Sequence, residues 1–200
     1  MLVYTKNCGD YFMNAFISVS SRTGIPGDYI TDADYISSAI AKAGYDLVIG
    51  VAIDEGMPGK VLGNFNDNNR QMSLITLRQY DENPEKFYYV GFEYVQDTFL
   101  RTKMIYEKSD ILVLMPGGTG STAEIFAFLE QLRTDKCGKP LVIYNKNGHY
   151  NHLLALISGF ISKGFNNNSI YGYFHIFDNA DELINFVTDY KKQFDSRKAL

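Results

Sequence analysis

Asp110-Ile111-Leu112-Val113-Leu114-Met115-Pro116-Gly117-Gly118-Thr119-Gly120-Ser121-Thr122-Ala123-Glu124 reads as a strand, a tight turn and the first turn of a helix. Ile111 to Met115 is unbroken apolar sequence, the pattern of a strand covered by helices on both sheet faces. Pro116 ends it, and the glycines at 117, 118 and 120 supply backbone freedom and remove Cβ atoms from the turn. Ser121 to Leu132 then carries Ile125, Phe126, Leu129 and Leu132 at helical spacing.

The same alternation runs outward in both directions. Upstream, Ala15 to Val19 is a short buried strand closed by Ser20-Ser21 and by Gly24, Pro26 and Gly27. Ala33 to Ala43 is a helix stopped by Gly44, and Asp46 to Val51 a second strand. Gly50 to Gly63 reads as a loop, residues 64–72 as a polar, Asn-rich surface excursion, Ser73 to Tyr80 as a third strand and Tyr88 to Glu107 as one long helix. Downstream come a strand at Pro140 to Tyr144, a helix at Tyr150 to Lys163 stopped by Gly164, a last strand at Ile170 to Phe177 and a closing helix at Ala180 to Phe194, with a charged tail that frays from Lys191 on. Strand–helix alternation implies parallel pairing with right-handed crossovers. The expected fold is a Rossmann-like three-layer α/β/α architecture with a mainly parallel sheet, in one domain of 200 residues.

Composition narrows the function classes. With 46% apolar and 21% charged residues the chain has an ordinary globular balance. A net charge of −4 argues against a nucleic acid polymer held over a broad surface, which needs a basic face. It leaves a small anion open, since a few backbone N–H groups suffice for one. Cys8 and Cys137 match neither a zinc spacing nor a disulfide framework, which fits a reducing compartment. Lys6, Asp10, Arg22 and Asp28 interrupt the first 30 residues, so no signal peptide is read, and no apolar run reaches the roughly 18 residues that span a bilayer. The expectation is a cytoplasmic protein without membrane partners. His149, His152 and His175 show no metal-ligand spacing with a carboxylate, and no metal is expected.

The turn itself points to a phosphate. Amides of residues 118–122 lie at the positive end of a helix dipole, at the carboxyl end of a strand where open α/β sheets bind ligands. Gly117, Gly118, Thr119, Gly120, Ser121 and Thr122 are the candidate phosphate-binding residues, the two hydroxyls adding donors. The spacing is neither that of the P-loop nor that of the dinucleotide fingerprint. Ser20, Ser21 and Arg22, at the end of the first strand, are candidates for the substrate pocket or for a plain polar loop. Glu124 is open to two readings. Three residues after Ser121 it completes a helix capping box; the other reading is a side chain of the ligand site.

Pro116 to Glu124 resembles the PGGxGTxxE motif of the LOG family, the cytokinin riboside 5′-monophosphate phosphoribohydrolases often labelled lysine decarboxylases. Arg101 before Ser109-Asp110, Lys139-Pro140 with its strand, Gly148-His149-Tyr150, Leu153 to Leu156 and Gly164-Phe165 extend the resemblance, which is good over residues 98–165 and weak over 14–60. It implies hydrolysis of the N-glycosidic bond of a nucleoside monophosphate to free base and ribose 5-phosphate. It also implies Glu124 and Arg101 as catalytic residues, no cofactor, and a homodimer, with which a load of 15 Tyr and 14 Phe is compatible. An oxocarbenium-like transition state gives a carboxylate at the anomeric carbon something to stabilise, and an Arg fork suits either that carboxylate or a phosphate. Taken alone, Arg101 reads rather as a helix-surface residue paired with Asp97. The sequence departs from the family at Ser121 for Thr, at Ala123 for a second Glu, at Leu100 and Thr102 for charged residues, and across the loop Gly50 to Gly59. Two other classes remain: a nucleotide-binding or sensing module without catalysis, and a nucleoside deoxyribosyltransferase-like enzyme.

Overall fold

The computed structural model describes residues 12–78, 91–135 and 138–198. Cys8, Cys137, Tyr88 and Tyr89 lie outside them. Seven strands form one sheet: β1 (Asn14–Ser18), β2 (Asp46–Ile49), β3 (Met72–Leu77), β4 (Gly91–Val95), β5 (Ile111–Leu114), β6 (Leu141–Tyr144) and β7 (Phe174–Phe177). Their order is β4-β3-β2-β1-β5-β6-β7, and every pairing is parallel. Six helices cover it: α1 (Gly27–Lys42), α2 (Gly56–Asp67), α3 (Thr98–Lys108), α4 (Thr119–Thr134), α5 (Asn151–Ser162) and α6 (Ala180–Lys198).

The period of two in the strands sorts the core into two layers. Ala15, Ile17, Ile111 and Val113 face one side, where Ile36 and Ile40 of α1, Val61 and Phe65 of α2, and Leu183 and Val187 of α6 pack. Phe16, Leu112 and Leu114 face the other, against Ile105 of α3, Ile125 and Phe128 of α4, and Ile157 of α5. Phe16 and Phe128 meet edge to face, with centroids 5.6 Å apart. Every residue from Ile111 to Leu114 is inaccessible to solvent. Burying side chains of this size contributes about 1.5–3 kcal/mol each, so β5 is firmly anchored in the sheet.

Several expectations are corrected. Residues 56–67, read as loop and surface excursion, form α2. The glycines at 56, 59 and 63 disguised a stripe at Met57, Val61, Leu62 and Phe65 that is wholly buried. Pro58 sits in the first turn, where its missing N–H costs no intrahelical bond. Gly59 is there for space, since a Cβ would stand 2.3 Å from the Asp54 carbonyl oxygen. Asn64 belongs to the fold too, its amide donating to the Asp34 carbonyl and to Ser37 Oγ of α1, each at 2.9 Å.

The long helix expected from Tyr88 is instead, where described, β4 followed by α3. Gly91-Phe92-Glu93-Tyr94-Val95 alternates and pairs with β3, and Asp97 restarts the chain as a helix by accepting from the Leu100 amide at 2.8 Å. The third strand ends at Leu77, and the stretch to Tyr80 expected with it is described only as far as residue 78. α1 begins at Gly27 rather than Ala33, and a 3-10 turn at Asn168–Gly172 precedes the short β7. α6 runs on past Lys191 to Lys198, with Lys191 paired to Asp195 one turn later at 2.6 Å. Gly44 and Gly164 follow their helices with φ of +93° and +78°, the left-handed stops the sequence placed there.

β1 is the switch point. The chain leaves it outward through β2, β3 and β4, returns along α3, and builds β5, β6 and β7 on its other side. The loops after β1 and β5 therefore diverge and leave a crevice at the carboxyl ends of the strands.

Candidate functional site

That crevice holds a cavity of about 450 Å³. Ser20, Ser21 and Arg22 line one rim, Gly118 to Ser121 the facing one, and Gly50, Val51 and Ile53 the wall beyond β2. Ser18, Arg101 and Glu124 also line it.

α4 begins at Thr119, with Gly118 as its N-cap and no side-chain cap bond. The Thr122 amide closes on the Gly118 carbonyl at 3.0 Å, leaving the amides of Thr119, Gly120 and Ser121 without intrahelical partners. A helix start of this kind attracts an anion. The glycines work differently from expectation, because none of Gly117, Gly118 and Gly120 takes a positive φ. Gly118 and Gly120 have nothing within 4 Å of a built Cβ, whereas at Gly117 a Cβ would stand 2.1 Å from Ser121 Oγ and 2.7 Å from its Cβ. Gly117→Ala is therefore expected to cost about 1–3 kcal/mol through overpacking, lowering Tm by several degrees in a thermal melt. Gly120→Ala, in open space on a helix, is expected to leave Tm unchanged or raise it.

Gly117 and Thr122 stand outside the cavity lining. The Thr122 hydroxyl donates to the Gly118 carbonyl at 3.0 Å, and the Gly117 carbonyl faces away to accept from His149 Nε2 at 2.8 Å. Tyr150 braces the same turn, its hydroxyl donating to the Met115 carbonyl at 2.8 Å. Burial pushes that phenol well above its ordinary range, so it keeps its proton as a donor. Gly148-His149-Tyr150 thus has a mechanical task, holding the turn from behind.

Glu124 projects from the second turn of α4 and is only 7% exposed. Its Oε2 accepts from Ser18 Oγ at 2.6 Å, and its Oε1 lies 3.3 Å from Arg101 Nη2. The capping-box reading is set aside by this geometry, because Ser121 is not the N-cap and the carboxylate is spent on β1 and α3. Burial raises its proton affinity above the ordinary carboxylate value, against the opposing pull of the Ser18 hydroxyl and of Arg101.

Arg101 sits in the first turn of α3 with its side chain largely buried. Asp97 caps the helix and does not take the guanidinium. Gly50 borders the guanidinium, and a Cβ there would stand 3.8 Å from its central carbon, an ordinary contact. Arg101 Nε is buried and has no hydrogen-bond partner among the described residues. Sequence reasoning missed Ser18, which read as one more residue of an apolar strand. Its signal is a hydroxyl in the final position of a β-strand next to the switch point. Asp54 and Glu55, in the replaced loop, are exposed and outside the lining, as is Ala123. No group of His, Cys, Asp and Glu able to hold a metal occurs among the described residues, and no described helix is long and apolar enough to cross a membrane.

Fold and site together define a Rossmann-like α/β protein with an open helix start set beside a buried carboxylate–guanidinium pair. A family described as possible lysine decarboxylase matches residues 34–187. The chain belongs to that family, the LOG family, as a divergent member. A probable cytokinin riboside 5′-monophosphate phosphoribohydrolase of Oryza sativa subsp. japonica is 28% identical over 95 residues, covering 48% of this chain and 41% of the rice protein. The matched stretch is thus less than half of that relative's length. A cytokinin riboside 5′-monophosphate phosphoribohydrolase of Rhodococcoides fascians is 27% identical over 135 residues, 66% of this chain and 68% of its own. Among solved structures, the molybdenum cofactor carrier protein of Chlamydomonas reinhardtii superposes with a TM-score of 0.66 at 14% identity, over 90% of this chain and 98% of that one. At such identity the likeness is one of fold.

Proposed function

We propose that the protein hydrolyses the N-glycosidic bond of a nucleoside 5′-monophosphate, releasing the free base and ribose 5-phosphate. The observation that carries this reading is the carboxylate of Glu124, buried in the floor of a cavity whose rim is an open helix start. The 5′-phosphate sits on the amides of Thr119, Gly120 and Ser121. The sugar then lies over the floor and the base reaches toward Ser20, Ser21 and Arg22. As the C1′–N bond breaks, its electron pair leaves with the base, which takes up a proton, and positive charge develops on the ribose ring. Glu124, ionised, stabilises that charge and orients the water that adds to C1′. Arg101 favours the ionised form of the carboxylate against the effect of burial. The names of the rice and Rhodococcoides relatives support the same chemistry. A homodimer is part of the reading.

Incubation with a panel of nucleoside monophosphates and the matching nucleosides, followed by chromatography of free base, tests it. Base is expected from at least one monophosphate and not from its nucleoside. Equal release from both removes the phosphate site from the mechanism. Tight binding without release makes the protein a nucleotide-binding module, and release only with an acceptor base makes it a transferase.

A further inference from the structure

Ser18 is 5% exposed, at the last position of β1, and its hydroxyl touches two groups of α4: Glu124 Oε2 at 2.6 Å and Ser121 Oγ at 3.2 Å. One hydroxyl has one proton. An ionised carboxylate only accepts, so that proton goes to Glu124, and the Ser121 hydroxyl donates in turn to Ser18. With Glu124 ionised, the chain runs Ser121 → Ser18 → Glu124. It joins the helix start that would meet an anion to the carboxylate on the cavity floor. It also fixes the carboxylate plane, since Oε2 is held from β1 and Oε1 is thereby left toward Arg101 on α3. A carboxylate anchored at one oxygen keeps its other oxygen in one place.

We propose that Ser18 is a positioning residue of this site: its hydroxyl, ordered by Ser121, pins Oε2 of Glu124 so that the carboxylate presents one defined face to the cavity. The proposal rests on the reading of Glu124 as the carboxylate at the sugar. The groups that face Glu124 are few. They are Arg101 from α3, Ser18 from β1, Ser121 from its own helix, and Tyr150, which senses its charge while bonded to the Met115 carbonyl; Arg22 stands across the same cavity. Removal of the Ser18 hydroxyl takes away one of two contacts that favour the ionised form.

The experiment compares Ser18→Ala and Ser18→Thr in two measurements. Turnover of the best monophosphate substrate across pH is expected to show kcat lowered about ten- to a hundredfold in Ser18→Ala. KM should be little changed and the acidic limb displaced to higher pH, with Ser18→Thr restoring much of each. The titration of Glu124 in the ligand-free protein, followed by 13C NMR of labelled glutamate carboxyls and assigned with Glu124→Gln, is expected to move up by about one pH unit in Ser18→Ala. Should Ser18→Ala not fold, Ser18→Cys, close in volume and a weak donor, takes its place. A Glu124 titration unchanged by loss of the hydroxyl, or equal impairment of the Ala and Thr variants, overturns the proposal. If the wild-type protein turns over no nucleotide, the functional reading falls while the titration still decides the role of Ser18.

Discussion

Glu124→Gln is expected to lower base release by about 10²–10⁴-fold and to move Tm little. The two halves of this expectation have one cause. The amide keeps the size of the carboxylate and can still accept from Ser18, so the packing of α4 on β1 survives. What it cannot do is carry the negative charge that a developing oxocarbenium requires. On one side stability gains, because burial raises the proton affinity of Glu124 in the folded state above its unfolded value. A carboxyl shifted in that direction stabilises the fold below its unfolded pKa and loses the contribution as pH rises through its folded pKa. At neutral pH the ionised group is therefore a burden on folding, lightened but not removed by Ser18 and Arg101; the Gln variant sheds it but leaves the largely buried Arg101 guanidinium without its counter-charge, and the two effects offset. The same shift places the acidic limb of the wild-type rate profile above the ordinary carboxylate range. Paired thermal melts and base-release assays read both halves, and undiminished turnover in Glu124→Gln would take this carboxylate out of the chemistry.

How much of this was legible in the sequence depended on whether a signal was local. The stretch from Asp110 to Glu124 declared a strand, a turn and a helix because apolar run, proline and glycines follow one another within fifteen positions, and the structure has all three. α2 was illegible because Gly56, Gly59 and Gly63 imitate loop punctuation. Only tertiary contact shows that the last two face neighbours or solvent as helix residues, and the stripe of Met57, Val61, Leu62 and Phe65 was the better witness. β4 was illegible for a related reason: Phe92 and Val95 satisfy a helical spacing as well as an alternating one. The site divides the same way. Its turn could be named from the sequence, and Glu124 could be named with two readings. The choice between them needed the positions of Ser18 and Arg101, which lie 106 and 23 residues away in the chain. Ser18 itself carries no sequence signal stronger than being a hydroxyl where a strand ends.

Arg101→Met is the more severe lesion for the fold. Methionine retains the apolar stem along Ile105 and Gly50 but leaves Glu124 as a buried charge with the Ser18 hydroxyl as its remaining partner. Breaking a buried pair from one side costs about 3–5 kcal/mol. The low end of that range is expected here, because the pair makes a single contact at 3.3 Å and the cavity admits water to it. The loss must depend on pH. Without the guanidinium the proton affinity of Glu124 climbs further, so the deficit shrinks in acid, where the carboxyl is neutral, and grows as pH rises through the folded value. Melts at pH 5 and pH 8 should therefore show a larger Tm difference between wild type and Arg101→Met at pH 8. Adding Glu124→Gln to Arg101→Met should recover most of the lost stability, since the stranded charge is gone, and a double-mutant cycle reads that coupling directly. None of this restores activity. Arg101→Lys supplies a point charge without the fork and is expected to recover stability more fully than turnover. A stability loss in Arg101→Met that is the same at both pH values and persists in the double variant would mean that Arg101 matters to the fold as packing, and that the ion pair at the cavity floor contributes nothing measurable.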